Sequence, residues 1–140
     1  MSILAQAAAL AFLALTPKAD GAVKIEIDGV RNTRGTLHMC LTREPAHFPD
    51  CGSDPEAIKK SVPASTRQVS LTVSPAQYAL SVFHDEDGDL KLDTTLGIPR
   101  EGFGFSRNPR VRFGPPRFRD VRIAIPAGAS LVSVRMQYLL

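Results

Sequence analysis

The chain has 140 residues, of which 44% are hydrophobic and 22% are charged, and its formal net charge at pH 7 is +3. These values are typical of one globular domain, and so small a charge argues against a surface built for nucleic acid. Ten glycines and eleven prolines favour many turns over long helices.

The first 21 residues are predicted to be a signal peptide. An almost wholly apolar run ends at Leu15, and it is too short to cross a bilayer comfortably. Ala19 and Gly21 supply the small residues that cleavage after Gly21 requires. Because no Lys or Arg precedes the run, a retained N-terminal helix is the alternative. We expect a periplasmic or secreted protein whose domain spans residues 22–140, with no transmembrane segment in the mature chain.

The two cysteines of the chain, Cys40 and Cys51, agree with export. An oxidising compartment allows them to pair, and this short loop suits a disulfide bond. The alternative is a metal site that also uses His38 or His47. With only two thiols and no Cys-x-x-Cys spacing, that alternative is weak, and we predict the disulfide.

Alternating apolar residues predict six or seven short strands separated by turns. The clearest segments are residues 23–27, 36–41, 67–73, 78–84, 119–125 and 131–139. The first two are expected to form a hairpin, and a short helix is expected to begin at Ser53 and end before Pro63. The predicted fold is an all-β antiparallel β-sandwich, immunoglobulin-like in character, with one short helix and a long ordered loop after residue 84.

Residues 85–93, named the acidic loop below, are the first candidate site. Its four aspartates are Asp85, Asp87, Asp89 and Asp93. They repel one another unless a hard cation such as calcium takes them as oxygen ligands. The loop departs from the EF-hand pattern, because Leu90 stands at the glycine position and Leu96 at the bidentate glutamate position. Two interpretations are open: a reduced calcium loop completed by Glu101 or backbone carbonyls, and a solvated turn paired with arginine.

Residues 100–122, named the arginine-rich segment below, contain seven arginines interleaved with four phenylalanines. In one interpretation the phenylalanines pin this segment to the sandwich and the arginine heads stay in water. In a second, the arginines fold back over the acidic loop. In a third, the segment binds an anionic ligand by charge and stacking. The candidate ligand-binding residues are His84, Arg107, Arg110 and Arg112.

Catalytic motifs are absent from the sequence. It contains neither a Gly-x-Ser-x-Gly elbow nor a His-Glu-x-x-His pair. His84 stands beside Asp85 at a strand end, where a lone histidine is more often packed and hydrogen-bonded than catalytic. We therefore predict a non-enzymatic binding or structural module without a nucleic-acid partner. The alternative is a hydrolase that uses His84 and the adjacent carboxylates.

Three stretches resemble the bacterial domain of unknown function 2141 family. They are YALSVFHDEDGDLKLD at residues 78–93, LGIPREGFGFS at 96–106 and RFGPP at 112–116. Members of this family look like small exported proteins, and the resemblance extends over residues 22–140. It implies a β-sandwich of transthyretin-like or carboxypeptidase-regulatory-like character and no established activity. In the family, asparagine often replaces Asp87 or Asp89, and only some relatives carry the cysteine pair.

Overall fold

The computed structural model describes residues 19–91, 94–95 and 98–140. Only residues 19–21 of the predicted signal peptide are among them, and the first strand begins at Gly21. Asp93, a predicted metal ligand, lies outside the described residues. The signal peptide and the role of Asp93 therefore stay predictions.

The described residues form ten strands, one single-turn α-helix and one short 3₁₀-helix. The strands are β1 Gly21–Asp28, β2 Thr36–Thr42, β3 Ile58–Pro63, β4 Gln68–Val73, β5 Ala76–Asp85, β6 Thr94–Thr95, β7 Ile98–Pro99, β8 Phe103–Phe105, β9 Ile123–Ile125 and β10 Gly128–Arg135. The α-helix, α1, spans Phe118–Val121, and the 3₁₀-helix spans Pro45–His47. The all-β prediction is confirmed.

Two sheets build the fold. The first has the strand order β10-β1-β4, and the second has the order β3-β2-β5-β8, with β9 also paired to β5. The small β6-β7 pair stands apart from both sheets. One pairing departs from the predicted antiparallel pattern, because β1 and β10 run parallel from Gly21 opposite Gly128 to Asp28 opposite Arg135.

The main core lies between the two sheets and follows from strand periodicity. In β1 the side chains of Val23, Ile25 and Ile27 are buried, whereas the residues between them face outward or lie half-buried. They pack in one cluster with residues such as Leu37 and Leu80 of the second sheet. Since successive side chains of a strand point to opposite faces, one buried face per strand is sufficient to form this layer.

Strand β5 is buried on both faces, as expected for a central strand. Tyr78 belongs to the main core, whereas Ala79 packs into a second cluster with Phe103, Phe105 and Val121. That second cluster covers the other face of β5. It attaches the arginine-rich segment to the second sheet.

The predicted β1–β2 hairpin is wrong. β1 pairs with β4 and β10, whereas β2 pairs with β3 and β5 in the other sheet. Residues 29–35 therefore cross from one sheet to the other, with Gly29 and Gly35 at positive φ values of 74° and 73° at the two ends. The apolar faces of β1 and β2 therefore meet across the core, and the two strands do not lie side by side in one sheet.

The predicted position of the short helix is also wrong. Residues 58–63 form strand β3, which pairs with β2 from Ile58 opposite Leu41 onward. Asp54 Oδ1 accepts the backbone N–H of Glu56 at 2.9 Å, so the predicted helix cap instead closes a turn. The α-helix lies at Phe118–Val121 and overlaps residues 119–125, which the alternation assigned to a strand.

The disulfide between Cys40 and Cys51 is present, with the two Cα atoms 5.7 Å apart. It ties β2 to the connection that leads to β3. In the same connection the Thr42 hydroxyl donates to Asp54 Oδ2 at 2.7 Å. This bond and the N–H of Glu56 hold the pKa of the Asp54 carboxyl below its usual value. The disulfide prediction is confirmed.

Candidate functional site

The acidic loop begins where β5 ends. β5 pairs with β2, so that Asp85 lies opposite Thr36 and His38 lies on the neighbouring strand. Gly35 packs directly on the backbone carbonyl of Asp85, and its φ of 73° disfavours any residue with a Cβ. The start of the loop is therefore fixed by the second sheet.

The buried carboxylate of Asp85 organises the loop that follows. Its Oδ1 accepts the backbone N–H of Gly88 at 2.9 Å, and its Oδ2 accepts that of Leu90 at 3.0 Å. His38 Nε2 also lies 3.0 Å from Oδ2. Burial raises the pKa of the Asp85 carboxyl, but these donors outweigh burial and hold that pKa below its usual value. The carboxylate therefore stays charged although its side chain is inaccessible.

Four carboxylates converge at this loop. One oxygen from each of Asp85, Asp87, Asp89 and Glu101 lies within 4.8 Å of the others. Asp85 and Glu101 are buried, whereas Asp87 and Asp89 are exposed. Glu101 Oε1 also accepts the backbone N–H of Glu86 at 3.2 Å, which joins the loop to the chain before β8. The structure thus brings together three of the four predicted ligands and Glu101.

The arginines that pair with this region come from the connection between β1 and β2. Arg31 Nε lies 2.6 Å and Arg34 Nη2 lies 3.2 Å from the carboxylate of Glu86. The hydrogen bond from Arg31 lowers the pKa of Glu86, and the same bond raises the pKa of Arg31. Among the described residues, no arginine of the arginine-rich segment forms an ion pair with Asp85, Asp87 or Asp89.

His84 is fully buried, and both of its ring nitrogens have partners. Its Nε2 donates to the carbonyl of Arg34 at 2.6 Å. Its Nδ1 lies 2.9 Å from the hydroxyl oxygen of Tyr138. Arg31 stacks over the ring of Tyr138 at 4.5 Å. Because a general base must reach its substrate, this placement gives no support to the hydrolase alternative.

The other predicted ligand-binding residues lie apart from His84. Arg107, Arg110 and Arg112 are exposed, and among the described residues none of them forms a hydrogen bond or ion pair with His84. The prediction that four phenylalanines pin this segment is wrong at one position. Phe103, Phe105 and Phe118 pack in the second cluster, but the side chain of Phe113 is 96% exposed.

A cavity of about 530 Å³ adjoins the acidic loop on the outer face of the second sheet. Phe83, Phe103 and Phe105 contribute its aromatic walls, and Leu90 of the acidic loop and His38 also line it. Leu90 is 71% exposed and has a φ of 62°, a conformation that a bulky side chain rarely adopts. Concave apolar surfaces of this size are typical of small-molecule sites.

The family model described as "Uncharacterized protein conserved in bacteria (DUF2141)" matches residues 25–132. The chain belongs to this family. The matched range extends from β1 into β10 and includes both the acidic loop and the arginine-rich segment, so the family resemblance is confirmed. No curated protein and no solved structure matches the chain. Within the described residues, no helix has the length and apolar character needed to cross a membrane.

Three residues of the site were not identified from the sequence. His38, Arg31 and Glu86 form the contacts that fix the start of the acidic loop, at Asp85 and Glu86. In β2 the alternation of Leu37, Met39 and Leu41 places His38 on the face opposite the core. The Arg31–Glu86 pair joins residues 55 positions apart, and it depends on a crossing between sheets that the alternation does not reveal.

Proposed function

We propose that this family member is an exported, non-enzymatic binding module whose acidic loop holds a calcium ion. The observation that carries the proposal is the convergence of four carboxylate oxygens within 4.8 Å. Calcium–oxygen distances of about 2.3–2.6 Å place opposite ligands about 4.6–5.2 Å apart, which matches this spacing. Magnesium, at about 2.0–2.1 Å, would require a tighter group.

Electrostatics supports the same proposal. Asp85 and Glu101 are buried near two further carboxylates, and like charges held so close together destabilise the fold unless a cation compensates them. Backbone N–H groups of Gly88 and Leu90 already orient the Asp85 carboxylate. In this proposal the ion stabilises the loop and the adjoining cavity wall at Leu90, and it performs no chemistry.

Thermal unfolding in EDTA and in millimolar calcium tests the calcium site. An ion at about 100 times its dissociation constant adds about 2.7 kcal/mol to the free energy of unfolding, so we expect the melting temperature to rise by about 10 °C. The double variant D87N/D89N should lose most of this rise. D120N, which removes an exposed carboxylate elsewhere, is the matched control and should keep it. An equal melting temperature in both buffers for the unmodified protein would refute the calcium site.

Export is supported by the apolar N-terminal run and by the Cys40–Cys51 disulfide, because disulfides persist in oxidising compartments. Mass analysis of the protein from the periplasmic and extracellular fractions should give a chain that begins at Ala22. A full-length chain confined to the reducing cytosol would contradict export.

A second candidate function is the binding of an anionic partner by the arginine-rich segment. Seven arginines against Glu101 and Asp120 give this segment a formal charge of +5, whereas the whole chain carries only +3. All seven arginines are exposed. Binding to a soluble polyanion such as heparin should weaken steeply as salt rises, and a flat salt response would exclude this function.

A further inference from the structure

The arginine-rich segment exposes a single aromatic side chain among its charges. Phe113 is 96% exposed, and it is flanked by Arg112 and by a turn in which Gly114 has a φ of 67°. Pro115 and Pro116 follow and restrict the backbone further. A fully exposed phenylalanine contributes nothing to the core, and burying it elsewhere would be favourable.

The backbone on both sides of Phe113 is anchored. On the N-terminal side Asn108 Nδ2 donates to the carbonyl of Ser133 at 3.0 Å, and Asn108 Oδ1 accepts the N–H of Arg135 at 2.7 Å. Gln137 Oε1 accepts the N–H of Val111 at 3.3 Å. On the C-terminal side Phe118 packs in the second core cluster. Residues 112–117 therefore form a tip that projects from a fixed base.

The charges around this tip have few partners within the protein. Among the described residues, the only ion pair formed by an arginine of residues 107–122 joins Arg119 to its neighbour Asp120, at 4.0 Å. Arg110, Arg112 and Arg117 are exposed on either side of Phe113. An arginine can extend its charged head to a phosphate while its apolar stem lies along a hydrocarbon surface.

We propose that the tip at residues 112–117 docks on a lipid bilayer that contains anionic phospholipids. Phe113 enters the boundary between headgroups and acyl chains, and Arg110, Arg112 and Arg117 bind the phosphates around it. Charge and apolar area together determine such interfacial binding. This inference rests on the second candidate function, because it names the anionic partner, and it does not depend on calcium.

A bilayer fits the tip better than single-stranded nucleic acid does. Stacking of successive bases requires several exposed aromatic faces. Three of the four phenylalanines in the segment are packed inside the protein, which leaves Phe113 alone. One apolar side chain surrounded by cations suits an interface that is apolar below and anionic above.

Co-sedimentation of the full chain with vesicles tests the proposal. Neutral phosphatidylcholine vesicles give the baseline, and vesicles with about 30% phosphatidylglycerol at about 0.1 M salt give the anionic surface. Every variant carries the same N-terminal segment, so the contribution of its apolar residues cancels in the comparison. We expect the anionic vesicles to bind more tightly than the neutral ones.

Two pairs of variants separate the tip from general effects. F113A should weaken anionic-vesicle binding about tenfold, since full burial of this side chain accounts for at least that factor. L131S, which removes an exposed leucine from β10, should leave binding unchanged. R110Q/R112Q should weaken binding about 25-fold, at about fivefold per arginine. K59Q/K60Q removes the same charge from β3 and should have a much smaller effect.

Heparin binding distinguishes the possible failures. The first case is that heparin binds in a salt-dependent manner. If the vesicles then do not bind, or if F113A binds them as tightly as the unmodified protein does, the bilayer proposal is overturned and anionic binding survives. If neither heparin nor anionic vesicles bind, both proposals fail. Because Phe113 is exposed, the F113A variant should fold normally, and its unchanged melting temperature will confirm that a loss of binding is not a loss of structure.

Discussion

The acidic loop and the arginine-rich segment carry opposite charges and are organised in opposite ways. In the acidic loop the charged groups converge, because backbone N–H groups of Gly88 and Leu90 hold the buried Asp85 carboxylate beside three others. In the arginine-rich segment the backbone is anchored through Asn108 and Gln137, and the charged side chains extend into solvent.

This difference determines which partner each region suits. Converged like charges are unfavourable until a compact counter-charge enters between them, so the acidic loop suits a single ion. Dispersed charges on a fixed base cost little in the free protein and suit an extended surface of opposite charge. The two regions were candidates to neutralise each other. However, Arg31, which pairs with Glu86 of the acidic loop at 2.6 Å, lies in the connection between β1 and β2 and not in the arginine-rich segment.

Substitution of Asp85 should give the largest effect and tests whether the acidic loop is part of the folded framework. D85A leaves the N–H groups of Gly88 and Leu90 without their acceptor and His38 Nε2 without its partner. Unmet buried donors cost about 1–3 kcal/mol each. These bonds are only partly buried, so water replaces some of each, and relief of repulsion among the carboxylates offsets a further part. We expect a loss of about 3 kcal/mol in the free energy of unfolding, measured by urea denaturation in EDTA.

The matched control for D85A lies in the other region. R112A removes an exposed side chain that forms no ion pair among the described residues, so its stability should change by less than about 0.5 kcal/mol. Similar losses for D85A and R112A would contradict the contrast between a structural acidic loop and a solvent-facing arginine-rich segment.

The sequence predicted those parts of the molecule that depend on local periodicity. Alternation located β1, β2, β4 and β5, and the aspartate spacing located the acidic loop, because both signals lie within a few residues of one another. The pairing of β1 with β10 and the crossing from β1 to β2 depend on which faces meet across the core. Such long-range choices leave no local pattern in a single sequence.

Two particular residues show the same limit at the candidate site. The alternation placed His38 on the outer face of β2, but its contact with Asp85 follows from the register between β2 and β5. The exposure of Phe113 was missed because an aromatic residue is ordinarily expected in a core. The other three phenylalanines of the segment meet this expectation, and Phe113 does not. Only the anchoring of the backbone around it determines which phenylalanine remains outside.

Substitution of Gln137 should give a smaller effect and tests whether the arginine-rich segment has a fixed base. Its side chain accepts the N–H of Val111 at 3.3 Å and donates to the carbonyl of Pro109 at 3.0 Å. Two hydrogen bonds of this kind contribute about 1–2 kcal/mol. For Q137A we expect a stability loss of about 1 kcal/mol, because both groups lie near the surface and water replaces part of each bond.

Hydrogen exchange distinguishes a local loosening from a general one. In Q137A the amide of Val111 should exchange faster, while amides in β5 should keep their protection after correction for overall stability. Q77A, which removes an exposed glutamine from β5, should change neither quantity. If the Val111 amide already exchanges freely in the unmodified protein, the segment has no fixed base. The arginine-rich segment would then differ from the acidic loop in backbone order as well as in charge. The tip at Phe113 would have to become ordered when it binds.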